Sequence, residues 1–432
     1  MKMANMDDYF DVVIVGTGAA GLYCALNLPA RYRILLLTKQ KADESDSFLA
    51  QGGICMQHGE ADYRPFFDDT MRAGHYENNP ATVDLMIRSS NSIIRDLVRR
   101  GVRFARDDHG ALRFTREGAH SRPRILFHED ITGHEITQTL LNEVLRCENI
   151  ELREHTTLLD FFADASACGG VIAAGPDGEP RAIGAGAVVL ACGGIGGVYK
   201  NSTNFPHITG DAIAMALRHG VACEHLDYIQ IHPTTLYSHR KGRRFLISES
   251  VRGEGALLLD KNGNRFTNEL QPRDVVSAAI RAQMEKDGTD HVWEDMRPIG
   301  EAAIREHFPN ILERCEEEGY DPIHEPIPVV PAQHYFMGGI TADLSSRTAL
   351  PRLYVCGETC CNGVHGRNRL ASNSLLESLV FAQRAADDIL YGEPPVFTGD
   401  KPDLAPYREQ EPLFAAYRQE VLTAIERSKN HE

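Results

Sequence analysis

Gly16-Thr17-Gly18-Ala19-Ala20-Gly21 fits the pattern G-x-G-x-x-G. The first glycine of such a run makes a tight turn, the second lets backbone approach a pyrophosphate, and the third lets a helix pack on its strand. The free N–H groups and dipole of that helix then face the diphosphate. Five polar residues stand in short motifs elsewhere: Glu117 in Thr-Arg-Glu-Gly-Ala-His-Ser, His232 in Ile-His-Pro-Thr-Thr, Arg273 in Gln-Pro-Arg-Asp, His334 before Tyr335, and Arg369 in Gly-Arg-Asn-Arg-Leu-Ala-Ser. Two histidines and two arginines can hold the two carboxylates of a dicarboxylic acid, Arg supplying the planar fork that matches a carboxylate. Taken singly, each reads first as a surface charge or a satisfied core polar group, and only convergence in space separates the two readings.

Elements able to position these groups are legible. Apolar residues 9–15, the glycine turn, the small-residue stretch 19–28 and the apolar run 33–38 read as strand, turn, helix and strand. The acid that would bind a ribose further on is missing, Thr38 and Lys39 standing there, which argues against plain NAD binding. Residues 187–194 (AVVLACGG) and 353–358 (LYVCGE) suit parallel strands ending at a ligand, so one domain is built from distant segments. Ala50-Gln51-Gly52-Gly53, Gly193-Gly194 and Gly338-Gly339 offer paired glycines where backbone can approach a flat ligand, although each pair alone is an ordinary turn. Glu358 adds a carboxylate able to accept a ribitol or ribose hydroxyl. Residues 227–335 carry mixed patterning, a helix candidate after Pro272 and prolines from 322 to 331, as an inserted domain would. Beyond residue 390 follow Gly392, Pro394, Pro395, Pro402 and Pro406, then one charged helix candidate at 411–427.

Composition narrows the function classes. A chain of 432 residues has room for two or three domains. Its 42% hydrophobic and 25% charged content is ordinary globular usage, which excludes a disordered tail protein and a membrane bundle. The 61 acidic and 45 basic residues leave a formal charge of −16, which repels phosphate backbones and anionic lipid. Neither nucleic acid nor a membrane is an expected partner, and an anionic substrate must be drawn in by a local positive cluster. The ten cysteines include no C-x-x-C pair and read as free thiols of a cytoplasmic protein. Cys356, Cys360 and Cys361 lack the paired spacing of a metal or cluster site, so no metal is expected. Residues 1–10 show no apolar run, so no leader peptide is expected, and no apolar stretch reaches the length of a membrane span.

An ordered series of motifs, namely Gly16 to Gly21, Ser47-Phe48-Leu49-Ala50-Gln51-Gly52-Gly53, Gly210-Asp211, His232-Pro233-Thr234, Arg252-Gly253-Glu254-Gly255, Pro272-Arg273-Asp274, His334-Tyr335 and Asn368-Arg369-Leu370-Ala371-Ser372-Asn373-Ser374-Leu375, resembles the flavoprotein subunits of succinate dehydrogenase and fumarate reductase. The likeness runs over about residues 11–390. Thr115-Arg116-Glu117-Gly118-Ala119-His120-Ser121 is similar to the stretch that sets the L-aspartate oxidase branch apart, where a Glu answers the substrate amino group.

This resemblance implies an α/β fold: a Rossmann-like FAD-binding domain in two parts (1–226 and 336–390), an inserted α+β capping domain (227–335) and a shortened helical C-terminal tail (391–432). It implies FAD contacts at Gly16, Thr17, Gly18, Ala19, Gly21, Thr38, Lys39, Ser45, Asp46, Ser47, Phe48, Leu49, Ala50, Gln51, Gly52, Gly53, Asp211, Glu358, Ser374 and Leu375. His232, His334 and Arg369 are implied to bind substrate carboxylates, with Ser248 and Glu249 near them and Arg273 as acid or base. Relatives that attach the flavin covalently carry a His where this chain has Asp46, which lacks a nucleophilic nitrogen, so FAD is expected to be non-covalent.

The implied reaction moves a hydride from Cα of L-aspartate to flavin N5. It gives iminoaspartate, with reoxidation by dioxygen or fumarate, as the first step of NAD biosynthesis with quinolinate synthase as the consuming partner. Aspartate arrives as an ammonium ion, so some group must accept a proton. A guanidinium, with a pKa above about 12, suits proton donation during fumarate reduction better than proton removal from aspartate. The division of acid and base roles between Arg273 and Glu117 stays open at this point. The alternative within the same resemblance is a soluble fumarate reductase or succinate dehydrogenase flavoprotein subunit; a third reading, a non-catalytic flavin protein, is opposed by the full set of polar candidates. Because these precede the tail, activity is expected to survive its shortening. The inserted region is expected to move as a lid that keeps water from a hydrolysable imine.

Overall fold

A computed structural model describes residues 8–239, 242–392 and 397–429. Most of the N-terminal stretch read for a leader, and Pro394 and Pro395 of the linker, lie outside the described residues. The first unit is β1 (Tyr9–Val15), α1 (Ala19–Asn27) and β2 (Ile34–Leu37), the strand, helix and strand expected around the glycine turn. Then follow β3 (Ile150–Arg153), β4 (Thr157–Ala163), β5 (Cys168–Ala174) and β6 (Pro180–Leu190). Next come β7 (Ile229–Leu236), α2 (Glu249–Gly253), β8 (Leu257–Leu259), α3 (Arg273–Asp287), β9 (Val292–Asp295) and β10 (Ile327–Phe336). The chain returns as β11 (Leu353–Val355) and α4 (Asn373–Tyr391), and ends in α5 (Gln410–Lys429).

The main sheet has the order β3-β2-β1-β6-β5-β4, with β11 also paired to β6. Its centre is parallel: Val15 of β1 lies opposite Leu37 of β2 and Leu190 of β6, and Leu190 in turn opposite Val355 of β11. Four strand ends, from three distant parts of the chain, therefore finish at one level, where a ligand can meet them. Successive side chains of β1 alternate between two cores. Val12 and Ile14 pack with Leu22 and Leu376, Val13 and Val15 with Ile213 and Val421. Burial on both faces is why these strands read as unbroken apolar runs.

A second, antiparallel sheet of order β7-β10-β9-β8 has a core of its own, which includes Ile247, Val251, Val276, Ile280, Phe308 and Val329. The pairing of β7 with β10 shifts register between His232 and Thr235. Pro233 lies in that irregularity, as a residue without an N–H must, and the bulge aims His232 inward. α3 starts at Arg273 directly after Pro272 and stops at Gly288, which is left-handed at φ 66.

The tail is more involved than the sequence suggested. α5 lies behind the loop 192–210: Arg418 donates to the carbonyls of Gly197 (3.3 Å) and Val198 (3.0 Å), and the Phe414 ring sits 4.8 Å from Lys39 Nζ. Among the described residues no helix is long and apolar enough to cross a membrane.

Candidate active site

A cleft of about 1720 Å³, its open mouth included, runs from the glycine turn to the second sheet. At one end lie Gly16, Thr17 and Gly18 with the N-terminus of α1. A Cβ on Gly16 (φ 113) would collide with the Ala191 carbonyl, and one on Gly21 with the Gly16 carbonyl, so turn, strand and helix are in the contact the motif requires. Thr38, Lys39, Ser45, Asp46, Ser47, Leu49, Ala50, Gln51, Gly52, Gly53, Asp211, Glu358, Ser374 and Leu375 line the same cleft. Lys39 Nζ and the Asp211 carboxylate form an ion pair at 2.7 Å.

Three sequence candidates stand behind the wall. The Ala19 N–H donates to Ser47 Oγ at 3.0 Å, Gly21 packs on Gly16, and Phe48 meets His134 edge-on with ring centroids 5.7 Å apart. On the wall itself Ser45 Oγ, Asp46 Oδ2 and Gln51 Oε1 are buried with no protein partner. A glycine cradle at a helix N-terminus and polar atoms awaiting partners fit the diphosphate and polar edges of FAD. Burial raises the Asp46 carboxyl to about 7 and that of Glu358 to about 8.

At the other end the five polar candidates converge. His232 on β7 and His334 on β10 lie with ring centroids 5.2 Å apart. Gln230 Oε1 accepts from Arg273 Nη1 (2.9 Å) and Arg369 Nε (3.3 Å), while its amide donates to Asn368 Oδ1 and the Arg369 carbonyl. Arg273 Nε donates to Glu249 Oε2 at 2.5 Å, Arg369 Nη1 to Ser374 Oγ at 2.6 Å, and the Arg369 guanidinium lies 4.4 Å from the centre of the Tyr335 ring. His334 Nδ1 pairs with the Thr203 hydroxyl at 2.8 Å. His232 Nδ1 lies 2.9 Å from the Thr234 carbonyl, and its Nε2 is buried and unpartnered.

Burial, with Arg273 beside each, pushes both imidazoles well below the ordinary histidine value. Burial and Arg273 also pull Arg369 down to about 10. Burial and the neighbouring guanidinium both disfavour positive charge on these groups, and a dicarboxylate placed among them would favour it.

Glu117 completes the site, only 4% exposed. Its Oε1 accepts from Ser250 Oγ at 3.0 Å and its Oε2 from Ser372 Oγ at 2.6 Å. Burial and the neighbouring Glu249 carboxylate raise its pKa. Ser248 caps α2 by accepting the Ser250 N–H at 3.2 Å, which sets Glu249 at the helix start against Arg273. Sequence reasoning missed Gln230, Thr203, Ser250 and the hydroxyl of Ser372. Gln230 had a signal, since it stands two residues before His232 on the same strand.

Residues 11–375 match the family model described as FAD binding domain. L-Aspartate oxidases of Clostridium perfringens and Clostridium acetobutylicum are each 47% identical over 380 residues, covering 88% of this chain and 86% and 87% of theirs. That of a Nostoc species is 44% identical over 442 residues, 98% of this chain and 76% of its own. Among solved structures, a quinol-fumarate reductase with menaquinol molecules superposes with a TM-score of 0.85 at 32% identity, over 95% of this chain and 75% of that one.

Proposed function

The chain belongs to the FAD-binding flavoproteins of the succinate dehydrogenase and fumarate reductase family, on its L-aspartate oxidase branch, and from that premise we propose how its residues carry the reaction. It is an FAD-dependent oxidoreductase that oxidises L-aspartate to iminoaspartate. FAD, when bound, supplies the acceptor for the Cα hydride. The residues of the cleft named above hold it without a covalent bond, since Asp46 offers a carboxyl where an attaching side chain would stand.

The observation that carries the substrate reading is a buried carboxylate, Glu117, facing the same cleft as two arginines and two histidines. His232, His334 and Arg369 hold the substrate carboxylates, with Ser248 and Glu249 shaping the wall, and Glu117 pairs with the ammonium group. Of the two catalytic candidates only the Glu117 carboxylate has a lone pair to accept a proton, the Arg273 guanidinium having none; burial and Glu249 raise the affinity of Glu117 for that proton, and it takes the ammonium proton as hydride leaves. Arg273, held by Glu249, donates the proton when the same site reduces fumarate. The separate second core supports a cap (227–335) distinct from an FAD domain (1–226 and 336–390), onto whose core the tail (391–432) packs Tyr417, Val421 and Ile425. Quinolinate synthase consumes the product, and ten unpaired thiols suit the reducing cytoplasm.

Anaerobic mixing of the FAD-loaded protein with L-aspartate, and separately with succinate, tests this. Bleaching of the flavin by L-aspartate supports the assignment. Bleaching by succinate alone would move the protein to the respiratory reading, which the fumarate reductase neighbours favour.

A further inference from the structure

Glu117 is gripped from two sides by parts of the chain that belong to different cores. Ser372, at the N-terminal edge of α4, belongs to the FAD-binding part, whereas Ser250 sits in α2 beside Val251 of the second core. Each donates to a different oxygen of the carboxylate, Ser372 at 2.6 Å and Ser250 at 3.0 Å. The grip is tight on the remaining sides. A Cβ on Gly52 would overlap Glu117 Oε1, and one on Gly118 would lie 2.5 Å from Glu249 Oε1, so two glycines make room for two carboxylates. Ser372 is held for the task in the left-handed region (φ 61), a conformation unfavourable for a residue with a side chain, and its carbonyl accepts the Cys55 N–H at 3.0 Å. Ser250 also lines a second pocket of about 530 Å³, its open mouth included, which shares Gln51, Gly52 and Ser248 with the main cleft.

We propose that Ser250 is a specificity-determining positioning residue, which fixes Glu117 toward the substrate ammonium group only when the α2 segment is docked on the FAD-binding part. A carboxylate held by one hydroxyl alone can rotate about its last side-chain bond; one held at both oxygens presents its remaining lone pairs in a single direction. Ser250 therefore ties amino-group recognition to cap docking. Two contacts flank the same seam: Asp130 accepts from the Ile311 N–H (3.0 Å) and the Asn310 amide (2.6 Å), and His75 Nε2 meets Asp274 at 3.1 Å. The inference rests on Glu117 as the partner of the ammonium group. Facing Glu117 are the charges of Glu249 and Arg273, which oppose each other, and the two serine hydroxyls, which both favour the ionised form.

The experiment compares Ser250→Ala, Ser250→Thr and Glu117→Gln as FAD-loaded full-length chains, each assayed for L-aspartate oxidation and for fumarate reduction. Losing one hydrogen bond to a charged group lowers the aspartate-to-fumarate ratio of kcat/KM about tenfold in Ser250→Ala. Threonine, which keeps the hydroxyl, restores the ratio. The acid limb of the aspartate pH profile moves up by about one unit in Ser250→Ala, because a donor to the ionised form is gone, a shift that a merely structural role does not produce. Loss of the ratio in Glu117→Gln with no change in Ser250→Ala overturns the proposal and leaves the reading of Glu117 standing. An unchanged ratio in Glu117→Gln overturns that reading first. Equal losses on both substrates in Ser250→Ala, unrescued by threonine, make Ser250 a packing residue and overturn the proposal.

Discussion

Replacing Arg369 with glutamine separates a residue built for a ligand from one built for the fold. Arg369 is 6% exposed and its pKa is drawn from 12.5 to about 10 by burial and by Arg273. At about 1.4 kcal/mol per pH unit, holding that charge without an anion costs the ligand-free protein about 3 kcal/mol. Against this stand one good hydrogen bond to Ser374, a longer one to Gln230 and the Tyr335 ring, each worth roughly 1 kcal/mol. The two sides nearly cancel, so Arg369→Gln leaves the ligand-free stability almost unchanged. With roughly 2.1 cal/mol/K per residue over 432 residues, 1 kcal/mol moves Tm by about 1 °C, and the expected change is within about 2 °C. Dicarboxylate binding behaves oppositely: truncating one partner of a buried charged pair costs about 2–5 kcal/mol, or roughly thirtyfold to several thousandfold. Calorimetry gives Tm, and flavin absorbance perturbed by succinate gives Kd, both on the same FAD-loaded preparation. A Tm lower by 4 °C or more together with less than a tenfold loss of succinate affinity would refute the argument, because it would make Arg369 a structural residue.

Three further outcomes are expected. Glu117→Gln lowers the ratio of kcat/KM for L-aspartate to that for fumarate by about 10–100-fold, the worth of one hydrogen bond between charged groups, as read in parallel steady-state assays. Phe414→Ala removes the ring over Lys39, whose ammonium pairs with Asp211 on the cofactor wall, and weakens FAD binding about three- to tenfold in a flavin-fluorescence titration, with kcat at saturating FAD much less affected. Glu294 is fully buried, neither of its oxygens has a partner, and burial raises its pKa from 4.5 to about 8. Between those values the folded chain holds a proton that the unfolded chain has lost, so this group makes stability fall as pH rises, by up to about 1.4 kcal/mol per unit. Thermal melts of wild type and Glu294→Gln should therefore diverge from pH 5 to pH 8, the variant falling less; parallel curves would count against it.

Much of the nucleotide-binding half was legible because local backbone requirements write themselves into local sequence. The turn at Gly16 needs a residue tolerant of positive φ, and the strand ends at 190 and 355 need apolar runs followed by glycine; each is visible within a few residues. The same local logic placed α3 after Pro272 and α5 near its observed span. The contacts of the tail were not legible, for the opposite reason. Its composition says only that it is helical, whereas its consequence comes from Arg418 touching a loop some 200 positions earlier, with separations of 221 and 220 for its two contacts, and from Phe414 meeting Lys39 near the start of the chain.

The substrate half shows where such reading stops. Glu117, His232, Arg273, His334 and Arg369 stood out as charged or imidazole groups in short motifs, each reading alone as a surface charge or a satisfied core polar group, and it is their convergence, mostly buried, in one cleft that gives them a reason to be there. Gln230, Ser250 and Ser372 are neutral, common and fit for any surface turn, yet Gln230 ties the two guanidiniums together and the serines fix both oxygens of Glu117. The chemistry of the site is carried by the first group and its geometry by the second. In the role proposed for it, Glu117 must point one way to meet the substrate ammonium group, and its two oxygens are held by a hydroxyl 133 positions away and another 255 away. Nothing in the local sequence of either serine distinguishes it, because the constraint exists only once two separately packed cores meet across the cleft.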